Sequence, residues 1–140
     1  MLLTPEQMDQ QIDRHFAFEA ADDVEGVLET LAHDAVHDIV GWPTGATSGR
    51  QGARPFYETL FADLANGKVK CVKRLYGENF LIDESLWAGT APGRPFGLEG
   101  RSRPLEFRLL HVIEFTGSGE IQREQVWVDL AAIINQLPQN

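Results

Sequence analysis

At 140 residues, with 43% hydrophobic and 24% charged residues, the chain has the length of one domain and the composition of a packed globule rather than of a disordered segment. Its formal charge of −9, with Lys68, Lys70, Lys73 and Arg74 as the one local basic group, argues against a nucleic-acid partner. No run approaches the ~20 apolar residues of a membrane span, the N-terminal stretch Met1 to Glu6 has no signal-peptide features, and the lone Cys71 permits neither an internal disulfide nor a cysteine-based zinc site. These features predict a cytoplasmic protein with no membrane association, with Cys71 as a small buried strand residue.

The chain opens with a helix signal. Thr4 can cap, Pro5 suits the first turn and Gln7 completes a capping box, after which Met8, Ile12 and Phe16 form an apolar stripe to about Ala20. His15 lies beside that stripe and is expected to point inward. Asp22-Asp23-Val24-Glu25 repeats the cap signal, and Val24, Val27, Leu28 and Leu31 give a second, short helix. A short strand, Ala35 to Val40, follows and is ended by Gly41-Trp42-Pro43. A third helix carries Phe56, Tyr57, Leu60, Phe61 and Leu64 and stops at Asn66-Gly67; Pro55 moves its expected start from Ser48 or Gly49 towards Arg54.

Beyond Lys68 the pattern is of strands. Val69 to Tyr76, Asn79 to Ile82 and Leu86 to Thr90 are separated by Gly77 and by an acidic turn, Asp83-Glu84-Ser85. Ala91 to Pro104 holds three prolines and three glycines and reads as a loop. Leu105 to Phe115 is the clearest strand, because its odd positions are apolar except His111. A glycine turn leads to the strand Glu120 to Val128, and Asp129 caps a last helix, Leu130 to Leu137. Helices followed by antiparallel strands and a closing helix make one α+β domain over residues 1–140, with a bent sheet covered on one face.

Three stretches carry a family resemblance: "LAHDAVHDIVGWPTGATSGRQGARPFYETLF", "GTAPGRPFGLEGRSRPLEFRLLHVIEF" and "GEIQREQVWVDLAAIINQL". Together they resemble the nuclear transport factor 2-like superfamily and, within it, the SnoaL-like polyketide cyclases and the ketosteroid isomerases. The resemblance implies a cone-shaped half-barrel, a curved mixed or antiparallel sheet covered by three N-terminal helices and a short C-terminal one. It also implies an apolar pocket between sheet and helices, a homodimer, and chemistry without a cofactor.

Site residues follow from the same resemblance. Asp38-Ile39-Val40-Gly41 matches the isomerases' base motif, which makes Asp38 the candidate base. Tyr57 matches a pocket tyrosine, while His15 and His111 stand where the isomerases have their oxyanion-binding tyrosine and protonated aspartic acid. The cyclases also carry a histidine at the place of His111, but their acid–base aspartate falls at Val126, and Glu124, two residues earlier on the same strand face, is the geometric substitute. Removing a proton next to a carbonyl needs a carboxylate in an apolar pocket and donors where enolate charge develops. Asp38 and His111 are thus the expected catalytic pair. His15, Tyr57 and Glu124 are the expected polar ligand contacts, and Trp42, Phe56, Phe107 and Val126 the walls.

Plain structural roles stand beside these. Asp38 can bond backbone amides at a strand end, His111 can be a core histidine bonded to Tyr57 or Glu124, and Trp87 and Trp127 can be core or interface aromatics. His33 and His37 have a four-residue spacing that would converge on a metal in a helix, but the strand signals argue against a metal site. Two classes of function remain. One is a small isomerase, cyclase or hydratase acting on a hydrophobic carbonyl or epoxide compound; the other is a non-catalytic ligand-binding or dimerisation module.

Overall fold

The structure, a computed structural model, describes residues 1–140. In chain order it comprises α1 (Pro5–Ala20), α2 (Val24–Glu29), β1 (Leu31–Ile39), β2 (Thr47–Ser48), α3 (Arg50–Asp63), β3 (Ala65–Gly77), β4 (Phe80–Ala91), a 3₁₀ turn (Pro95–Gly97), β5 (Arg103–Phe115), β6 (Ile121–Val128) and α4 (Leu130–Gln136). The strands form one open sheet in the order β2-β1-β6-β5-β4-β3. All neighbours are antiparallel except β1 and β6, so the sheet is mixed and the α+β class is as expected. Register shifts in the β1/β6, β3/β4 and β5/β6 pairs are the irregularities that bend such a sheet.

Local chemistry explains the helix starts. Thr4 and Gln7 form the expected reciprocal capping box, and the Asp23 and Asp129 carboxylates accept from the amides of Gly26 and Ala132. Met8 and Ile12 on α1 then pack with Leu28, Tyr57, Leu81, Ile113 and Ile121, all buried, in the main apolar cluster between helices and sheet. Burying each such aliphatic side chain stabilises the fold by roughly 1.5–3 kcal/mol. A second cluster, Leu64, Ala91, Leu105, Phe107, Ile133 and Leu137, seals the end where α4 meets β5.

Several elements depart from expectation. β1 begins at Leu31, which shortens α2, and β2 is an added two-residue edge strand. α3 starts at Arg50 with Pro55 inside it. Asn66-Gly67 does not end a helix but lies within β3, where Gly67 gives room to the Trp87 indole: a Cβ there would sit 2.5 Å from Trp87 Nε1. The acidic segment Asp83-Glu84-Ser85 is not a turn; β4 runs straight through it, with Asp83 and Ser85 turned inward and fully buried. Polar bonds to Asp83 from Arg74 and His111 on the neighbouring strands and from Ser85 on its own offset its burial. Cys71 is exposed on β3, contrary to the buried position expected for it, because this long strand extends along the sheet's edge.

Candidate active site

Strand parity decides which side chains meet. In β1, Ala35, His37 and Ile39 are buried, while Asp38 points to the opposite face. There its Oδ2 accepts from Gln125 Nε2 at 3.3 Å and lies 3.7 Å from Arg123 Nη2. The expected pairing of Asp38 with His111 therefore does not form. His111 lies on the inner face, and Asp38 on the outer, because successive strand residues alternate sides.

The inner face holds two polar groups in apolar surroundings. The first is centred on Glu124 of β6, 3% exposed, whose parallel register partner is His37. Glu124 Oε1 accepts from the Tyr57 hydroxyl and lies 3.1 Å from His37 Nε2. Glu124 Oε2 lies 2.9 Å from His15 Nε2, yet no hydrogen bond of ordinary geometry reaches this oxygen, so the contact is ionic and out of line. Glu19, one helical turn beyond His15, places its Oε2 3.1 Å from the same nitrogen.

The other side of the His15 ring settles its proton state. Thr30 Oγ1 lies 2.7 Å from His15 Nδ1, and its hydroxyl donates to the Val27 carbonyl at 2.6 Å. Thr30 can therefore only accept from the ring, so His15 Nδ1 carries a proton. With Nε2 facing two carboxylates, the ring is an imidazolium. Burial by itself would lower its pKa, but the charges of Glu124 and Glu19 outweigh that and push it up to about 10. Burial likewise opposes the charge on Glu124, but His15 and His37 hold it well below the usual carboxylate range. Burial and the adjacent Glu124 push the Tyr57 hydroxyl well above its ordinary value, so it stays protonated.

The second group pairs His111 of β5 with Asp83 of β4, its register partner. His111 Nδ1 donates to Asp83 Oδ1 at 3.2 Å, and Ser85 Oγ donates to the same oxygen. Arg74 Nε donates to Asp83 Oδ2 at 2.7 Å, while its Nη1 and Nη2 reach Asp9 and Asp13 on α1 at 2.9 and 2.7 Å. Burial alone would raise the Asp83 pKa, but His111, Ser85 and Arg74 together hold it below the usual range. With Nδ1 committed to this anion, Nε2 is the ring nitrogen left to the interior.

Both groups open on one cavity of about 330 Å³, lined by 22 residues of which 16 are hydrophobic. Of the residues singled out in the sequence, His111, Tyr57, Glu124, Phe56, Phe107 and Val126 reach its wall. His15 lies behind Tyr57 and Glu124, and Trp42 packs edge-on against Phe56 and Phe96, at 5.1 and 5.8 Å between ring centroids, without lining the space. Sequence reasoning missed His37, Asp83, Glu19 and Arg74. For His37 a signal was present, since it shares parity with the apolar Ala35 and Ile39. For Asp83 it was masked by Glu84 and Ser85, which read as a turn. His33 is exposed while His37 is buried, so this pair does not converge. No group of three or more His, Cys, Asp and Glu side chains is arranged to hold a metal ion.

Comparison with known proteins places this geometry. The family model of SnoaL-like polyketide cyclases matches residues 11–137. No curated protein matches the chain. Among solved structures, a protein described as a SnoaL-like polyketide cyclase from Jannaschia sp. CCS1 is 14% identical, with a TM-score of 0.84 over 100% of this chain and 99% of that one. TsrD from Streptomyces laurentii is 15% identical, with a TM-score of 0.83 over 99% of each chain. A hypothetical protein with a ketosteroid isomerase-like fold from Catenulispora acidiphila is 17% identical, with a TM-score of 0.77 over 99% of this chain and 96% of that one. At these identities the structural likeness speaks for the cone-shaped fold of the nuclear transport factor 2-like proteins, and the model match speaks for the family. This chain belongs to the SnoaL-like polyketide cyclase family.

Proposed function

We propose that the chain is a cofactor-independent acid–base catalyst of the cyclase or isomerase kind, acting on a small hydrophobic carbonyl compound. The observation that carries this reading is the buried Asp83–His111 pair at the cavity wall. An anionic carboxylate on Nδ1 fixes the imidazole tautomer and leaves Nε2 as a base, with no protein hydrogen bond competing for it. In the proposed step Nε2 takes a proton from the carbon next to the carbonyl, and the electron pair moves to the carbonyl oxygen. The resulting imidazolium is stabilised by Asp83, and it returns the proton elsewhere on the substrate, or the enolate carbon attacks a second carbonyl of the substrate, whose π bond breaks as its oxygen takes that proton and a ring closes. Positioned acid–base groups contribute roughly 10²- to 10⁴-fold each.

Glu124 supports the reading from the neighbouring strand. It is a diagonal neighbour of His111, since His111 pairs with Val126 and Ile113 with Glu124. Such diagonal positions are roughly 7–8 Å apart, which leaves room for a substrate between them. Tyr57 commits its one hydroxyl proton to Glu124 Oε1, so the charge that develops on the substrate is met by the imidazolium formed on His111. Aromatic walls exclude water, which strengthens every such interaction.

The test is hydrogen–deuterium exchange next to the carbonyl of 2-tetralone in D₂O, followed by proton NMR. Wild-type protein is expected to accelerate exchange, and His111→Gln to abolish the acceleration. Absence of acceleration, or acceleration indifferent to His111→Gln, overturns the catalytic reading in favour of a ligand-binding module. We further propose a homodimer through the outer face of the sheet, where register partners Leu110 and Trp127 are 37% and 39% exposed. Leu110→Glu is expected to convert a dimer to a monomer in sedimentation velocity; a wild-type chain that already sediments as a monomer removes the proposal.

A further inference from the structure

The cavity has two unlike ends. One carries His111 and Glu124, whereas no wall residue on β3, on β4 or on β5 before His111 is ionisable. Phe107 stands on the same face of β5 as His111, four residues before it, which is roughly 13 Å along the strand at ~3.3 Å per residue. A ligand with its reactive carbon at His111 therefore meets a purely apolar wall at its other end.

Trp87 of β4 builds that second end. It is the register partner of Phe107, and the two rings lie 5.3 Å apart between centroids with 28° between their planes. Its indole is seated on glycines from two strands. A Cβ at Gly67 of β3 would stand 2.5 Å from Nε1, and a Cβ at Gly89 of β4 would stand 2.6 Å from Cη2 of the same ring. The edge of the indole thus fills the space of two absent side chains instead of the cavity. Glycine inside a strand weakens it, and it marks a position where another group must come close to the backbone. A core with nothing to hold is closed more simply by ordinary side chains at both positions and a smaller one between them. Here both side chains are given up to lay a large ring beside the backbone, and that ring and Phe107 both stay on the cavity wall.

We propose that Trp87 and Phe107 form an aromatic subsite for a flat ring at the end of the ligand remote from His111, and that Trp87 is the residue that selects for it. Offset-stacked or edge-to-face contact favours a planar ring over a saturated one of equal size, beyond what the buried area gives. The two rings are already held in place by packing, so little side-chain freedom is lost when a ligand arrives. This deepens the reading of the site already described, and it rests on that reading only for placing the reactive carbon at His111, not for binding. The separation of the two ends adds a requirement of shape, since the ring must be carried on the side of the molecule away from its carbonyl.

The test is titration calorimetry of the full chain with 2-tetralone, 6-phenyl-2-tetralone and 6-cyclohexyl-2-tetralone, which carry nothing, a flat ring or a saturated ring at the end of the bicycle away from the carbonyl. The phenyl compound is expected to bind tighter than 2-tetralone, and tighter than the cyclohexyl compound by about twofold to tenfold, the gain of aromatic contact over buried area alone. Trp87→Leu and, independently, Phe107→Leu are each expected to bring the phenyl and cyclohexyl affinities together. Phe80→Leu, which removes an exposed aromatic of the same strand outside the cavity wall, is expected to leave the preference unchanged. No binding of either substituted compound, equal affinity for the two, or a phenyl preference that survives Trp87→Leu overturns the proposal; if Trp87→Leu does not fold, survival of the preference in Phe107→Leu overturns it instead. Ring preference with no catalysed exchange of 2-tetralone would remove the catalytic reading and leave the subsite standing, and exchange without ring preference would do the reverse.

Discussion

His37 and Glu124 are register partners across the one parallel strand pair of the sheet, and their side chains meet at 3.1 Å on its inner face. The parallel pairing joins the first long strand to the last, and it brings residues 87 positions apart into one buried cluster with His15 and Tyr57. Each carboxylate oxygen of Glu124 thus faces a different histidine.

The charge state of this cluster gives a pH-dependent expectation. The folded His15 pKa, about 10, lies above its ordinary 6.5, so its contribution to stability is full below about pH 6.5 and is lost as pH rises towards 10. Glu124 is shifted the other way, and its contribution is present above its ordinary 4.5 and lost as pH falls. Glu124→Gln leaves the buried imidazolium short of its main counter-charge, which costs about 3–5 kcal/mol while His15 is protonated. Urea unfolding is expected to show a larger loss at pH 6 than at pH 9. An equal loss at both would mean that His15 is neutral in the folded protein.

Arg74 bridges α1 to the sheet through Asp9, Asp13 and the buried Asp83. Arg74→Met removes the cation and leaves Asp83 buried beside a single histidine, at a cost of about 3–5 kcal/mol. Because Asp83 is held below its ordinary 3.8, the stability it confers is present above that pH and fades as pH falls. In thermal melts of both proteins from pH 3 to pH 7, the gap between them is expected to be largest at pH 7 and to begin narrowing only near and below about pH 3.8, without closing by pH 3, because the folded wild type keeps Asp83 charged there. A loss at pH 7 no larger than that of a surface ion pair, under about 1 kcal/mol, would show that Asp83 does not depend on Arg74.

Asp38 gives the opposite expectation. Its carboxylate accepts from Gln125 and pairs with Arg123 on the outer face, partly open to solvent, so Asp38→Asn should leave the rate of 2-tetralone exchange within about twofold and stability within about 1 kcal/mol, as for other solvent-screened pairs. A hundredfold loss of exchange with the fold intact would restore Asp38 as the base and displace His111.

Gly67 links a backbone position to the cavity. Trp87 covers it and also stacks on Phe107, at 5.3 Å between ring centroids, and both rings line the cavity. Gly67→Ala forces the indole to move and is expected to cost about 1–3 kcal/mol, the usual range for overpacking. An unchanged Trp fluorescence spectrum would show that the indole yields without disturbing the wall.

Much of this protein follows from local pattern. The capping chemistry of Thr4, Asp23 and Asp129, the helical stripe from Met8 to Phe16 and the alternation from Leu105 to Phe115 each specify their element through nearest neighbours in the chain. The inward face of His111, Tyr57 and Glu124 was readable in the same way, from parity and from a family motif order. Asp38 was misplaced because the motif match was followed where the parity of Ala35, His37 and Ile39 already argued against it.

What the sequence by itself determined is therefore the α+β class, the order of the main elements and the inward side of β5, since these depend on periodicity and on caps within a few residues. Only the tertiary structure decided that Asp83 is a buried strand residue and not a turn, and that Glu124 collects His15 and His37. A carboxylate can be buried only where cations and donors from distant segments converge on it, and in this chain they come from α1, β1, β3 and β5.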